Sequence, residues 1–138
     1  IVEDTRDWFA QDKEGNVWYF GEIAINYEDG EVSDLDGSWK AGEDGALPGI
    51  VMWANPMIDH VYRQEFLLGE AEDVGEVVSL TETVISNGIE YTDCLQTLDY
   101  TPLEPDTFEY KYYKAGVGFV LELKPESGEM LELLAINP

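Results

Sequence analysis

A chain of 138 residues with 30 Asp+Glu against 7 Lys+Arg carries a formal net charge of −23, and such a field repels itself in the compact state unless salt, bound cations or a cationic partner offset it. Phosphate binding needs clustered Lys and Arg, so nucleic acid and anionic membrane surfaces are excluded as partners. Hydrophobic residues at 44% and aromatic residues at 12% are enough for a core, which excludes a disordered acidic tail.

The pattern along the chain is β. Asp7 to Asp12 reads as a strand, Lys13-Glu14-Gly15-Asn16 as a turn, and Val17 to Tyr27 as the return strand. Asp29-Gly30 marks a second turn and Val32 to Lys40 a third strand. A loop over 41–49 follows, then a short apolar strand, Ile50 to Ala54, which Asn55-Pro56 breaks because Pro supplies no ladder donor. Val61 to Leu68 alternates at the strand period, with Tyr62, Gln64, Phe66 and Leu68 on one side. Gly69 and Gly75 bracket the acidic turn Glu70-Ala71-Glu72-Asp73. Val77 to Ile85 is the next strand, and Asn87-Gly88 is a strong hairpin signal. Tyr91 to Tyr100 follows, with Asp93 near a bend, and then Thr107 to Lys114. After the Gly-rich bend at 115–118, Phe119 to Lys124 continues, and Met130 to Ile136 is the last strand. About nine consecutive antiparallel strands predict an all-β, single-domain fold over 1–138, a curved sheet or open β-barrel.

The acids run from Glu3 to Glu132 without blocks of like charge, which reads as a solvated acidic surface. A high Asp and Glu content with few Lys suits a salt-rich setting, so a halophilic or marine source is expected. No segment approaches the roughly 18 consecutive apolar residues of a transmembrane helix. Cys94 is the lone cysteine, so no internal disulfide forms. The chain begins at Ile1, and Asp4 to Trp8 reads like the continuation of a strand; a processed or trimmed N-terminus is the expectation.

Several local patterns carry a resemblance. The run from Asp7 to Glu22, Tyr62-Arg63-Gln64-Glu65, the Ala71-Glu72-Asp73 turn and the run from Tyr112 to Gly118 together resemble a family of uncharacterised bacterial exported and lipoprotein domains. The resemblance covers most of the chain. It implies an extracytoplasmic (secreted, periplasmic or lipid-anchored) all-β domain of the open-barrel kind, and no activity. His60 and Trp53 depart from the family pattern, so nothing transfers to them.

Six constellations are candidates for function. Glu70, Glu72, Asp73 and Glu76, with Glu65 folding back toward them, could supply the oxygens that Ca²⁺ requires. Asp34, Asp36, Glu43 and Asp44 form a second cluster, and neither fits the EF-hand loop. The competing reading of both is a solvated acidic turn. Arg63 must find a carboxylate among so many acids, and a planar structural clamp to the acidic turn is favoured over an anion anchor. His60, Met52, Met57 and Cys94 are soft ligands suited to copper, but buried Cys94, packed methionines and a loop His60 are the simpler reading. His60 beside Asp59 is a conceivable general base, yet no nucleophile elbow, HExxH or P-loop accompanies it, so an enzyme, a hydrolase included, is not expected. Trp18, Trp53, Tyr110 and Tyr112, among the other aromatics, could line a concave ligand face; packed core is the competing reading.

The leading reading is a non-enzymatic exported binding or interaction module whose acidic surface takes a hard cation such as calcium or a basic protein. The runner-up is a carrier of a small apolar ligand or glycan.

Overall fold

The computed structural model describes residues 1–136; eleven strands and no helix are found among them. The strands form two antiparallel sheets, and neither closes into a barrel. The all-β, curved-sheet expectation therefore holds. The chain gathers into two compact units. The first is Ile1–Asn55 with Tyr62–Val74, and the second is Pro56–Val61 with the chain from Gly75 onward.

In the first unit, β1 (Glu3–Gln11) pairs with β2 (Val17–Glu28), from Glu3 opposite Asn26 to Gln11 opposite Val17. The pairing starts four residues earlier than the sequence suggests. Asp12 closes the hairpin. Its carboxylate accepts the Trp18 indole N–H, the Asn16 side-chain amide and the Asn16 backbone N–H, each at 2.9 Å. Those donors, Trp18 first, hold its pKa down at about 2. Gly15 supplies the positive φ of the turn.

The β1–β2 register shifts between Trp8 and Phe9, leaving Phe20 as an extra residue. Such a bulge re-aims side chains. It puts Tyr19 and Glu22 on one side of β2, with Phe9 stacked on Tyr19 at 4.7 Å and Asp7 opposite Glu22.

The long β2 also pairs with β3 (Glu31–Asp34), β4 (Trp39–Lys40) and β5 (Gly49–Met52). The strand expected over Val32 to Lys40 is thus two strands. Asp34 Oδ1 captures the Asn26 amide at 2.7 Å and the Asp36 N–H at 3.1 Å, and Gly37 turns at φ 89°. Chain direction is lost there and regained at Trp39. Close approach then demands Gly21: a Cβ at that position would lie 2.3 Å from the Trp39 carbonyl oxygen. Tyr19, Trp39, Ala46 and Ala71 make the core, with the Tyr19 and Trp39 rings edge to face at 5.2 Å.

Of the strand expected over Val61 to Leu68, only β6 (Val61–Arg63) is regular. The Gln64 and Glu65 N–H groups both donate to the Asp73 carbonyl, and Leu67 bridges to Ala71. The acidic turn consequently folds against its own strand.

The second unit holds β7 (Val74–Ser86) from Gly75 onward, β8 (Ile89–Tyr100), β9 (Phe108–Lys114), β10 (Gly118–Lys124) and β11 (Glu129–Glu132). Within this unit the strand order is β11-β10-β9-β8-β7. Asn87 (φ 47°) and Gly88 (φ 76°) form the expected turn, and Asp93 (φ 50°) the expected bend. Cys94, Tyr112, Val120 and Leu121 pack as a core. The last strand ends at Glu132, short of Ile136.

Candidate functional site

An open recess of about 460 Å³ lies in the first unit. Strand register builds it. Trp8 stands opposite Gly21, and Gly21 opposite Lys40, so no side chain rises between Trp8 and Lys40. Glu22 is paired with Trp39 one step along. The turn after β4 adds Glu43 and Asp44, held by the Glu43 N–H to Lys40 carbonyl bond and the Ala46 N–H to Glu43 carbonyl bond. Leu67 and Glu70 come from the turn after β6. Four carboxyl groups, Glu22, Glu43, Asp44 and Glu70, thus surround one lysine, Lys40, which is ion-paired to Glu43. Trp8 is 43% exposed and gives the rim an aromatic edge. Trp39 is 3% exposed, and its buried indole N–H has no acceptor.

Behind this rim the acids are tightly coupled. Asp7 and Glu22 face each other across β1 and β2, an arrangement that like charges disfavour. The Tyr19 hydroxyl donates to Asp7 Oδ1 at 2.5 Å. Glu22 hydrogen-bonds to Glu65. Burial is the main cause that raises the Glu22 pKa, and the charges of Asp7 and Glu3 add to it; the bonds to Glu65 and Tyr19 oppose the rise. Burial, then the bond to Asp7, pushes the Tyr19 hydroxyl far above its ordinary range.

Compared with family models, curated proteins and solved structures, the chain finds no match.

The acids expected to gather for calcium are distributed instead. Glu65 is engaged by Glu22. Glu72 accepts from Arg63 Nη1 at 3.0 Å and from the Gly69 N–H at 2.8 Å, and these bonds, Gly69 first, lower its pKa. Asp73 takes part through its carbonyl in the turn. Glu70 lines the recess, and Glu76 belongs to the second unit. Among the described residues, no three His, Cys, Asp or Glu are grouped as a metal site. Of the second cluster, Asp34 is tied to Asp36, Asn26 and Ser33, while Glu43 and Asp44 line the recess.

Arg63 makes the ion pair that its scarcity implied, and its guanidinium also sits 4.9 Å over the Phe66 ring. The expected aromatic face is taken up by packing within each unit. Trp18 is bonded to Asp12, and Trp53 meets Tyr62 edge on at 6.2 Å. In the second unit Tyr110 meets Phe108 edge on, and Tyr112 is buried against Cys94 and Val120 with its hydroxyl bonded to Gln96. His60 Nδ1 accepts the Met57 N–H at 3.3 Å, and Cys94 is buried.

The second unit holds a charged row that sequence reasoning missed. Lys111 Nζ lies 2.9 Å from Glu109 and 3.3 Å from Asp99, and Lys111 stands opposite Glu122. Asp99 is 2% exposed. Burial alone would lower the Lys111 pKa, but Asp99, Tyr113 and Glu109 hold it well above the ordinary value. Burial, then the charge of Glu109, raises Glu122 to about 7 against the pull of Lys111 and Lys124. The signal was present as Glu109, Lys111 and Glu122 at strand spacing, but their meeting depends on the β9–β10 register.

Proposed function

We propose that the protein is a non-enzymatic, extracytoplasmic binding module whose acidic recess takes the cationic side chains of a basic polypeptide. The observation that supports this is the recess itself: four carboxyl groups and an exposed tryptophan around a single paired lysine. An ammonium or guanidinium group finds carboxylate acceptors there and the face of Trp8 beside them, and both attract organic cations. Ca²⁺ suits the recess less well. It requires six to eight closely convergent oxygens, whereas Lys40 competes within this site and Glu22 is engaged with Glu65. The carrier reading loses support because its four aromatic residues are occupied in packing. The resemblance of the opening hairpin to exported domains supports the extracytoplasmic setting.

Charge alone attracts any polycation to a chain of net charge −23, so the test must separate site from field. An acetylated, amidated pentalysine peptide is titrated calorimetrically into wild type, into Asp44→Asn/Glu70→Gln, and into Glu14→Gln/Glu126→Gln. The last two have equal net charge. The recess pair is expected to weaken binding at least about fivefold, and the pair that does not line the recess by less than about twofold. Equal losses in the two would overturn the reading.

A further inference from the structure

We infer that the basic partner docks as an extended strand on the free edge of β1, beside the recess, and adds itself to the sheet of the first unit. The inference rests on the recess reading above for the sign of the partner's charge, and it adds the partner's conformation.

The register decides which main-chain groups of β1 are free. In an antiparallel pair, alternate residues exchange both main-chain bonds with the neighbouring strand, and the residues between them turn theirs the other way. At one end of the β1–β2 hairpin the Tyr27 N–H donates to the Val2 carbonyl, and at the other the Asp12 N–H donates to the Asn16 carbonyl, each at 2.9 Å. The extra residue of the bulge, Phe20, belongs to β2, so the alternation along β1 is unbroken. Even-numbered residues of β1 therefore bond to β2. Glu3, Thr5, Asp7, Phe9 and Gln11 turn their N–H and carbonyl groups outward, and among the described residues no strand pairs with that side.

β1 lacks the usual protection of an open edge, which is a short strand, a Pro, a Lys or a bulge. It runs nine residues, against four, two and four for β3, β4 and β5 across β2, and it contains neither Pro nor Lys. Trp8 and Phe9 are consecutive, so they point to opposite faces of the sheet, and they are 43% and 51% exposed. A ligand lying on one face covers one of these rings. A strand laid along the edge, about 4.8 Å from β1, flanks both.

Charge selects the occupant. β1 carries Glu3, Asp4 and Asp7 against Arg6 alone. A second copy would bring the same acids to the seam and a further charge of −23, which like-charge repulsion disfavours. A segment with Lys or Arg at alternate positions sets cations opposite Glu3 and Asp7, which share a face, or on the other face beside Trp8, which also lines the recess. Main-chain bonds then supply affinity, and the acids choose the partner by its charge.

The test is amide hydrogen exchange of the nitrogen-15-labelled chain, with and without a saturating acetylated, amidated seven-residue peptide of alternating lysine and valine. The amides of Glu3, Thr5, Asp7 and Phe9 are expected to slow at least about tenfold on binding, while those of Asp4, Arg6, Trp8 and Ala10, already bonded to β2, change by less than about threefold. N-methylation of two adjacent central residues keeps the peptide's charge and blocks both of its edges, and is expected to weaken binding at least about tenfold. Thr5→Pro removes an outward N–H without touching the β2 ladder, and is expected to weaken the unmethylated peptide at least about fivefold. Should Thr5→Pro fail to fold, the exchange pattern of wild type and the methylated peptide decide. Outward and inward amides slowed alike, or equal affinity of the methylated peptide, would overturn strand addition while leaving the recess reading intact. Slowing of the outward amides that grows with protein concentration and needs no peptide would put a second copy on the edge and overturn it too. Absence of binding to wild type would sink both readings, whereas failure of the recess alone shows as equal losses in the two charge-pair variants above.

Discussion

Arg63 donates from Nη1 to Glu72 Oε2 at 3.0 Å, and this pair joins β6 to the acidic turn that follows it. Glu72 is at the same time bonded to the Gly69 N–H, so one carboxylate closes the turn on itself and fastens it to the strand. Arg63→Met keeps the stem over Phe66 and removes the charge. A fall in melting temperature of roughly 2–4 °C at neutral pH is expected, the size of a partly exposed ion pair. The Glu72 pKa is lowered in the folded state. Its contribution is therefore present above the unfolded carboxyl range and is lost as pH falls through the folded value. The deficit of Arg63→Met should vanish in acid, and a deficit that persists there would contradict the assignment.

Glu122 behaves in the opposite sense. Its folded pKa is raised to about 7, so the folded state binds a proton that the unfolded chain has released. Stability from this group is complete below the unfolded carboxyl range and is lost as pH rises through about 7. Unfolding free energies from denaturant melts at constant ionic strength should fall over that window, by on the order of 1–3 kcal/mol from this group. Glu122→Gln should flatten the profile there. An unchanged slope in the variant would rule out Glu122 as its source.

The opening hairpin depends on Asp12. Asp12→Ala removes three acceptor contacts, to Trp18 and Asn16, at one turn. A loss in melting temperature of roughly 5 °C or more is expected, together with a shift of the Trp18 indole resonance. A variant as stable as wild type would show that the turn is held by its backbone alone.

Gly21 tests the register that shapes the recess. Its φ is 138°, and the Trp39 carbonyl oxygen lies 2.3 Å from where a Cβ would stand, so there is no room for a side chain. Gly21→Ala should cost about 2–4 kcal/mol and displace β4, and pentalysine affinity should fall with it. Wild-type stability in denaturant melts would mean that β4 does not lie against Gly21.

Local signals made much of this fold legible. Gly15, Asn87-Gly88 and the bend at Asp93 each state a backbone need that few other residues meet, and each turns where the sequence says. The Arg63 clamp was legible from scarcity, since one of two arginines among 30 acids must find a carboxylate. What failed depended on distant pairing. Asn26 on β2 captures Asp34 and splits a strand that is continuous by pattern. The recess requires Trp8, Gly21 and Lys40 in one register, with a bulge at Phe20, and no spacing within a single strand announces that. Glu65 illustrates both: alternation places it on an extended segment, while nothing local points to its partner Glu22 on a distant strand.

The most direct measurement uses the four tryptophans as reporters. Nitrogen-15 spectra of the indole N–H groups are recorded as pentalysine is added at low ionic strength. Trp8 should shift as a cation settles on its face, while Trp18, held by Asp12, and Trp53, packed on Tyr62, stay within a small fraction of that change. Shifts at Trp18 and Trp53 equal to that at Trp8, or none at Trp8 at saturating peptide, would contradict a basic partner in the recess.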